Sequence, residues 1–173
     1  MNISRLKILY AKRSVKISIQ IFLFIVIYFA VKAYTQRDLI QGQAPVLNAT
    51  LITGENFNLQ HKRNQPMLLH FWASWCPVCK LEQDSIDSIS KNHPVVTVAM
   101  QSGDSSEISQ YMRDSGLNFS VIADETGALA QRYGVKAVPV SFILNPQGQI
   151  VFSESGYTSS WGLQLRLWLA NFL

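Results

Sequence analysis

The run Met-Leu-Leu-His-Phe-Trp, Met67–Trp72, passes into Ala-Ser-Trp-Cys-Pro-Val-Cys with almost no room for a loop. It is apolar but for one histidine and shows no polar/apolar alternation, so it predicts a central strand buried on both faces. Pro77 suits the first turn of a helix, where a backbone N–H has no partner to lose. Ile86 and Ile89 then recur at helical spacing, which predicts a helix over 77–91. A buried strand that feeds directly into an amphipathic helix requires a sheet covered by helices.

The rest of the chain repeats that logic. Residues 95–101, "VVTVAMQ", predict a second buried strand. "GDSSEISQYMRDSG" predicts a helix capped by Asp104 or Ser105 and closed by Gly116. "FSVIAD" reads as a strand and "ETGALAQRYG" as a short helix ending at Gly134. "VSFILN" and "IVFSES" flank a turn at residues 146–148, which predicts an antiparallel hairpin. "SSWGLQLRLWLANF" predicts a last helix capped by Ser159 or Ser160, with Trp161 and Trp168 expected in core or edge packing. A shorter hairpin is expected around Thr53 to Asn56. Parallel crossovers followed by a hairpin predict a three-layer α/β/α sandwich with a mixed sheet.

The N-terminus differs in kind. Residues 17–31, "ISIQIFLFIVIYFAV", carry no charge. Lys16 and Lys32 can snorkel and Tyr34 suits an interface, so the usable span approaches the ~20 residues a bilayer needs. Seven of the fifteen Lys and Arg precede residue 40, while the remainder carries eight Lys/Arg against ten Asp/Glu, about −2 by subtraction. The basic excess therefore reads as membrane topology and not as a nucleic-acid face. The expected organisation is a basic cytoplasmic tail over 1–16, an uncleaved transmembrane anchor over 17–34, a tether over 35–44 and a folded domain over 45–173. A cleaved signal peptide is the alternative, but "AVKAYTQ" lacks the small-residue cleavage pattern.

Cys76 and Cys79 are the two cysteines of the chain. A structural zinc site wants four ligands, and His61, His70 and His93 are widely spaced, so no metal site is assigned. Two thiolates alone suit Cu(I), which keeps a copper-handling module as the rival reading. A disulfide closing so short a loop removes little unfolded-state entropy, which argues against a mere staple. The helix start argues for redox chemistry. A Cys76 thiolate would meet free backbone N–H groups and the positive end of the helix dipole. Cys79, one turn on, would be the more buried, resolving thiol. Glu82 shares a stripe with Ile86 and Ile89, so a partly desolvated carboxyl with a raised pKa is expected there, placed to exchange protons with Cys79. His70 reads first as a satisfied core histidine and second as a proton relay with Glu82. Trp72 reads as core, and Trp75 as a contact for partners.

"FWASWCPVCKLE", together with "DETGALAQRYGVKAVPVSFILNPQGQIV" over 124–151, resembles the thioredoxin superfamily. The resemblance covers about 45–173 and is narrowest to its membrane-anchored TlpA/ResA/DsbE-like branch. Within that branch the anchor and the Cys-Pro-Val-Cys sequence are similar to the copper-sensitivity suppressor (ScsD) group. The resemblance implies a cis Pro139 lying against the redox pair, with a trans proline at a strand edge as the alternative. It implies that Val138 offers its backbone to an extended substrate beside Trp75 and Pro77. It also implies a glutamate at position 82 as a catalytic partner of Cys76, Cys79 and Pro139. His70 departs from the acid or asparagine common at its place.

The expected function is a protein disulfide oxidoreductase, tethered to the bacterial inner membrane with its domain in the periplasm. It needs no diffusible cofactor. Its partners would be protein thiols and disulfides, with a membrane electron donor of DsbD type and a link to copper tolerance or cytochrome c maturation. Val78 gives the thiolate neither hydrogen bond nor charge, so a mildly reducing couple is expected.

Overall fold

A computed structural model describes residues 3–61 and 64–173, except the side chains of 3–15 and 32–35. The chain forms two units, Met1–Arg37 and Asp38–Leu173. The first is a single helix, α1 (Ile3–Gln36). Its apolar residues from Ile17 to Val31 are exposed. Among the described residues no helix is long and apolar enough to cross a membrane. The expected anchor over 17–34 runs into 32–34, and the expected tail over 1–16 consists almost wholly of residues whose side chains lie outside the described set.

The second unit is built on a six-stranded sheet. Its strands are β1 (Gly42–Gln43), β4 (Met67–Trp72), β5 (Val95–Met100), β6 (Ser120–Asp124), β7 (Val140–Leu144) and β8 (Gln149–Ser155), in the order β1-β8-β7-β4-β5-β6. β4, β5 and β6 run parallel, while β7 is antiparallel to β4 and to β8. β2 (Asn48–Thr50) and β3 (Asn56–Asn58) form the expected separate hairpin. The helices are α2 (Pro77–Ser90), α3 (Ser105–Asp114), α4 (Ala128–Arg132) and α5 (Ser160–Leu169). Asp104 closes a full capping box on α3, and Ser159 caps α5.

β4 lies between β5 and β7, and all six of its residues are buried. Strand alternation divides them. Met67, Leu69 and Phe71 face a cluster with Leu47, Tyr133 and Phe142. Leu68 and Trp72 face the opposite cluster with Ile86 and Ile89 of α2 and Leu163 and Leu167 of α5. His70 shares their parity and so points toward α2, which decides its chemistry. Trp72 is core, its indole N–H donating to Thr97 Oγ1 at 3.0 Å.

Two expectations are corrected. Residues 35–44 are not a tether. Leu39 and Ala44 are buried in the core and Gly42–Gln43 pairs with β8, so the folded unit starts at Asp38. Trp161 and Trp168 are not packed inside, being 85% and 57% exposed, because α5 presents Leu163, Leu167 and Ala170 to the core instead.

The early start of the domain yields a test. Gly134 has φ +71°, and a Cβ built there would overlap the Asp38 carbonyl. Gly134→Ala is expected to lower stability by at least about 2 kcal/mol through steric overlap and left-handed strain. Denaturant unfolding should show the midpoint falling at unchanged slope.

Candidate active site

The end of β4 and the start of α2 build the site. Cys76 is the N-cap of α2 and Pro77 occupies its first turn. The Cys79 backbone N–H donates to Cys76 Sγ at 3.2 Å, so the sulfur takes the place of a capping oxygen. The sulfur therefore sits at the N-terminal, positive end of the helix dipole. On its other side, Cys76 Sγ lies 3.6 Å from the Val138 carbonyl oxygen. The Val138–Pro139 peptide is cis, as the resemblance implied. Cys79, expected to be the more buried thiol, is so only marginally, at 3% exposed against 4% for Cys76. Chemistry still separates them. Burial, then the hydrogen bond with Cys76, pushes the Cys79 thiol up, so it holds its proton.

Trp75 is 56% exposed, and its indole N–H is fixed by the Gln101 carbonyl at 3.0 Å. Val78 is also exposed. These side chains and the Val138 backbone surround Cys76 with surface that another protein can touch. Gln101 adopts φ +46°, a left-handed conformation uncommon for glutamine, and Ser102 Oγ accepts from the Ser74 N–H at 3.0 Å. Together they hold the turn that precedes Cys76.

Behind the cysteines sits a buried polar group. Glu82 is 1% exposed and its Oε2 accepts the Thr158 N–H at 3.0 Å. Its Oε1 has no hydrogen-bond partner. Burial pushes the Glu82 carboxyl up to about 7, against the opposing pull of the Thr158 N–H. His70 Nε2 lies 3.9 Å from that orphan oxygen, too far for a hydrogen bond. The contact is no ion pair at neutral pH, because burial holds His70 down at about 3 and the imidazole is neutral. His70 Nδ1 is satisfied by Ser141 Oγ at 3.0 Å, its cross-strand neighbour.

All the expected site residues converge: Trp75, Cys76, Pro77, Cys79, Val138, Pro139, Glu82 and His70. Sequence reasoning missed Thr158, Ser141 and Gln101. Ser141 was within reach, since pairing β4 against β7 sets it opposite His70. Thr158 and Gln101 sit in connections with no periodicity to read. Among the described residues no group of three or more His, Cys, Asp or Glu forms a metal-holding cluster.

Comparison with known proteins agrees with this geometry. The family model for AhpC/TSA proteins matches residues 40–153. The chain belongs to the AhpC/TSA family. A thioredoxin-like protein of Haemophilus influenzae is 28% identical over 93% of this chain and 97% of its own. Sporulation thiol-disulfide oxidoreductase A of Bacillus subtilis is 32% identical over 61% of this chain and 67% of its own. The crystal structure of StoA from Bacillus subtilis superposes with a TM-score of 0.61 at 30% identity, covering 72% of this chain and 96% of that one. The fold is thioredoxin-like, and the chain is a thiol-disulfide oxidoreductase carrying a C-x-x-C pair at Cys76 and Cys79.

Proposed function

We propose that the protein is a membrane-tethered, periplasmic reductase of protein disulfides. The observation that carries the redox assignment is the Cys76 sulfur itself. It caps a helix N-terminus, accepts the Cys79 N–H and faces the Val138 carbonyl at a partly exposed edge. Cys76 thiolate attacks one sulfur of a substrate disulfide, forming a mixed disulfide and releasing the other sulfur as thiolate. Cys79 then gives up its proton and attacks Cys76. The Cys76–Cys79 disulfide forms, and the substrate leaves with both sulfurs reduced. Glu82, close to half-ionised near pH 7, is the acceptor for the Cys79 proton. His70, neutral and held by Ser141, would relay that proton only after its 3.9 Å gap to Glu82 closes to hydrogen-bond range. Trp75, Pro77, Val138 and Pro139 form the surface that receives an extended substrate segment.

The reading extends to the cell. The uncharged run over 17–31, exposed along α1, supports an anchor over 17–34. The basic residues before it support a cytoplasmic N-terminus. A DsbD-type membrane protein would return electrons to the pair, and the substrates would lie in copper tolerance or cytochrome c maturation. The test is to equilibrate the full chain with glutathione and to follow insulin reduction. A potential near the −270 mV typical of thioredoxin supports the reductase, while one near DsbA's −120 mV turns it into an oxidase. Inertness in both assays combined with tight Cu(I) binding would replace the reading with the copper-handling one.

A further inference from the structure

Helix α5 is apolar on two opposite faces. Leu163, Leu167 and Ala170 are buried against the sheet. Trp161, Leu165, Trp168 and Phe172 stand outward, 85%, 55%, 57% and 72% exposed. Spacings of four and three residues place Trp161, Leu165 and Trp168 in one stripe of α5, and Phe172 follows just past the helix end. The Trp168 and Phe172 rings meet edge to face at 5.1 Å, so the stripe is continuous at its C-terminal end. The one charged side chain on α5, Arg166, is drawn aside to Glu154 at 2.7 Å. Between the two faces lie polar side chains, Gln164 bonded to Ser160 and Arg166 bonded to Glu154, but a contiguous exposed patch of large apolar side chains marks an interaction surface.

We infer that this stripe rests in the interfacial layer of a lipid bilayer. The inference builds on the proposed anchor. Val31 closes the apolar run, and Leu39 is already buried in the domain core. The chain between them spans at most about 28 Å when fully extended. A domain held that closely stays at the membrane surface, where any outward apolar face competes for lipid. Tryptophan favours the headgroup boundary, since its ring is apolar and its N–H still finds a partner. An uncharged stripe takes its affinity from area and not from anionic lipid, so docking is independent of salt. A second copy of the chain is the poorer occupant. The stripe is about 16 Å long and at most one helix width, about 10 Å, across, far short of the ~800 Å² per partner of a standard interface. Because Leu163 and Leu167 of α5 pack in the same cluster as Ile86 and Ile89 of α2, docking would fix which way the Cys76 end of α2 faces from the bilayer.

The experiment uses the full chain reconstituted into phosphatidylcholine vesicles, with and without brominated acyl chains. Brominated lipid is expected to quench tryptophan emission at low and high salt alike. Trp161→Phe/Trp168→Phe should lose most of that quenching, since Trp72 is buried in the core and the exposed Trp75 stands beside Cys76 and not on the stripe, so any signal left is its own. Leu165→Gln/Phe172→Gln keeps both reporters and should weaken the quenching. Both variants should reduce insulin as the wild type does. Vesicle flotation separates the two levels of the reading. Failure to float in carbonate removes the anchor and the inference with it. Flotation without brominated-lipid quenching overturns the inference alone. In that case, protection of Trp161 and Trp168 from acrylamide would assign the stripe to a second copy, and acrylamide access would leave it bare.

Discussion

Cys79→Ser is expected to stop the reaction at its covalent midpoint. The variant should accumulate a mixed disulfide between Cys76 and substrate, seen as a slower band on non-reducing gels and abolished by dithiothreitol. The reason is geometric. The group that steadies the Cys76 sulfur from position 79 is the backbone N–H, at 3.2 Å, and a serine side chain leaves that donor in place. Attack therefore proceeds while resolution has no thiol. Cys76→Ser does the reverse. A hydroxyl at the N-cap keeps the helix capped but is not a nucleophile near pH 7, so turnover should fall by at least about 10³-fold with no trapped species. The asymmetry between the variants is the sharp result. Equal trapping by both would mean that the two thiols are interchangeable, against the raised pKa of Cys79 and the Val138 contact made by Cys76.

Much of this site was readable because its determinants are local. Pro77 after Cys76 marks a helix start by itself, and Glu82 with Ile86 and Ile89 repeats at helical spacing whatever the fold does. Burial of β4 followed from its unbroken apolar run. The cis state of Pro139 was not local information and came from resemblance. Thr158 was illegible for a related reason, since it reaches Glu82 across 76 residues from a loop with no pattern. Gly42–Gln43 pairs over only two residues, too few for alternation to appear, which is why the segment read as a tether. Trp161 and Trp168 misled in the opposite sense. Apolar character in α5 was correctly seen, but a narrow helix offers one face to a sheet, and Leu163 and Leu167 already fill it.

Stability against pH should separate Glu82 from His70, because their buried neutral forms pull in opposite directions. The Glu82 pKa rises from 4.5 to about 7 on folding. The native state then holds a proton that the unfolded chain has lost, so the Glu82 contribution is complete below pH 4.5 and disappears as pH rises through 7. The His70 pKa falls from 6.5 to about 3. Its contribution is complete above pH 6.5 and disappears as pH falls toward 3. Each slope is ~1.4 kcal/mol per pH unit within its window. Between pH 4.5 and 6.5 the two cancel, and the pair leaves wild-type stability flat. Glu82→Gln is expected to expose the histidine slope, losing about 3 kcal/mol relative to wild type as pH falls from 6.5 to 4.5. Burial alone lowers His70, so the slope survives removal of its neighbour. His70→Asn should expose the other slope and lose a similar amount relative to wild type between pH 4.5 and 7. Urea midpoints at half-unit pH steps measure all three proteins, and other carboxylates cancel in the comparison. A Glu82→Gln curve parallel to wild type would mean that Glu82 is ionised throughout, whatever the His70→Asn curve does. A carboxylate with an orphan oxygen at 1% exposure would then need a partner beyond Thr158, and the proton would have to leave Cys79 by another route.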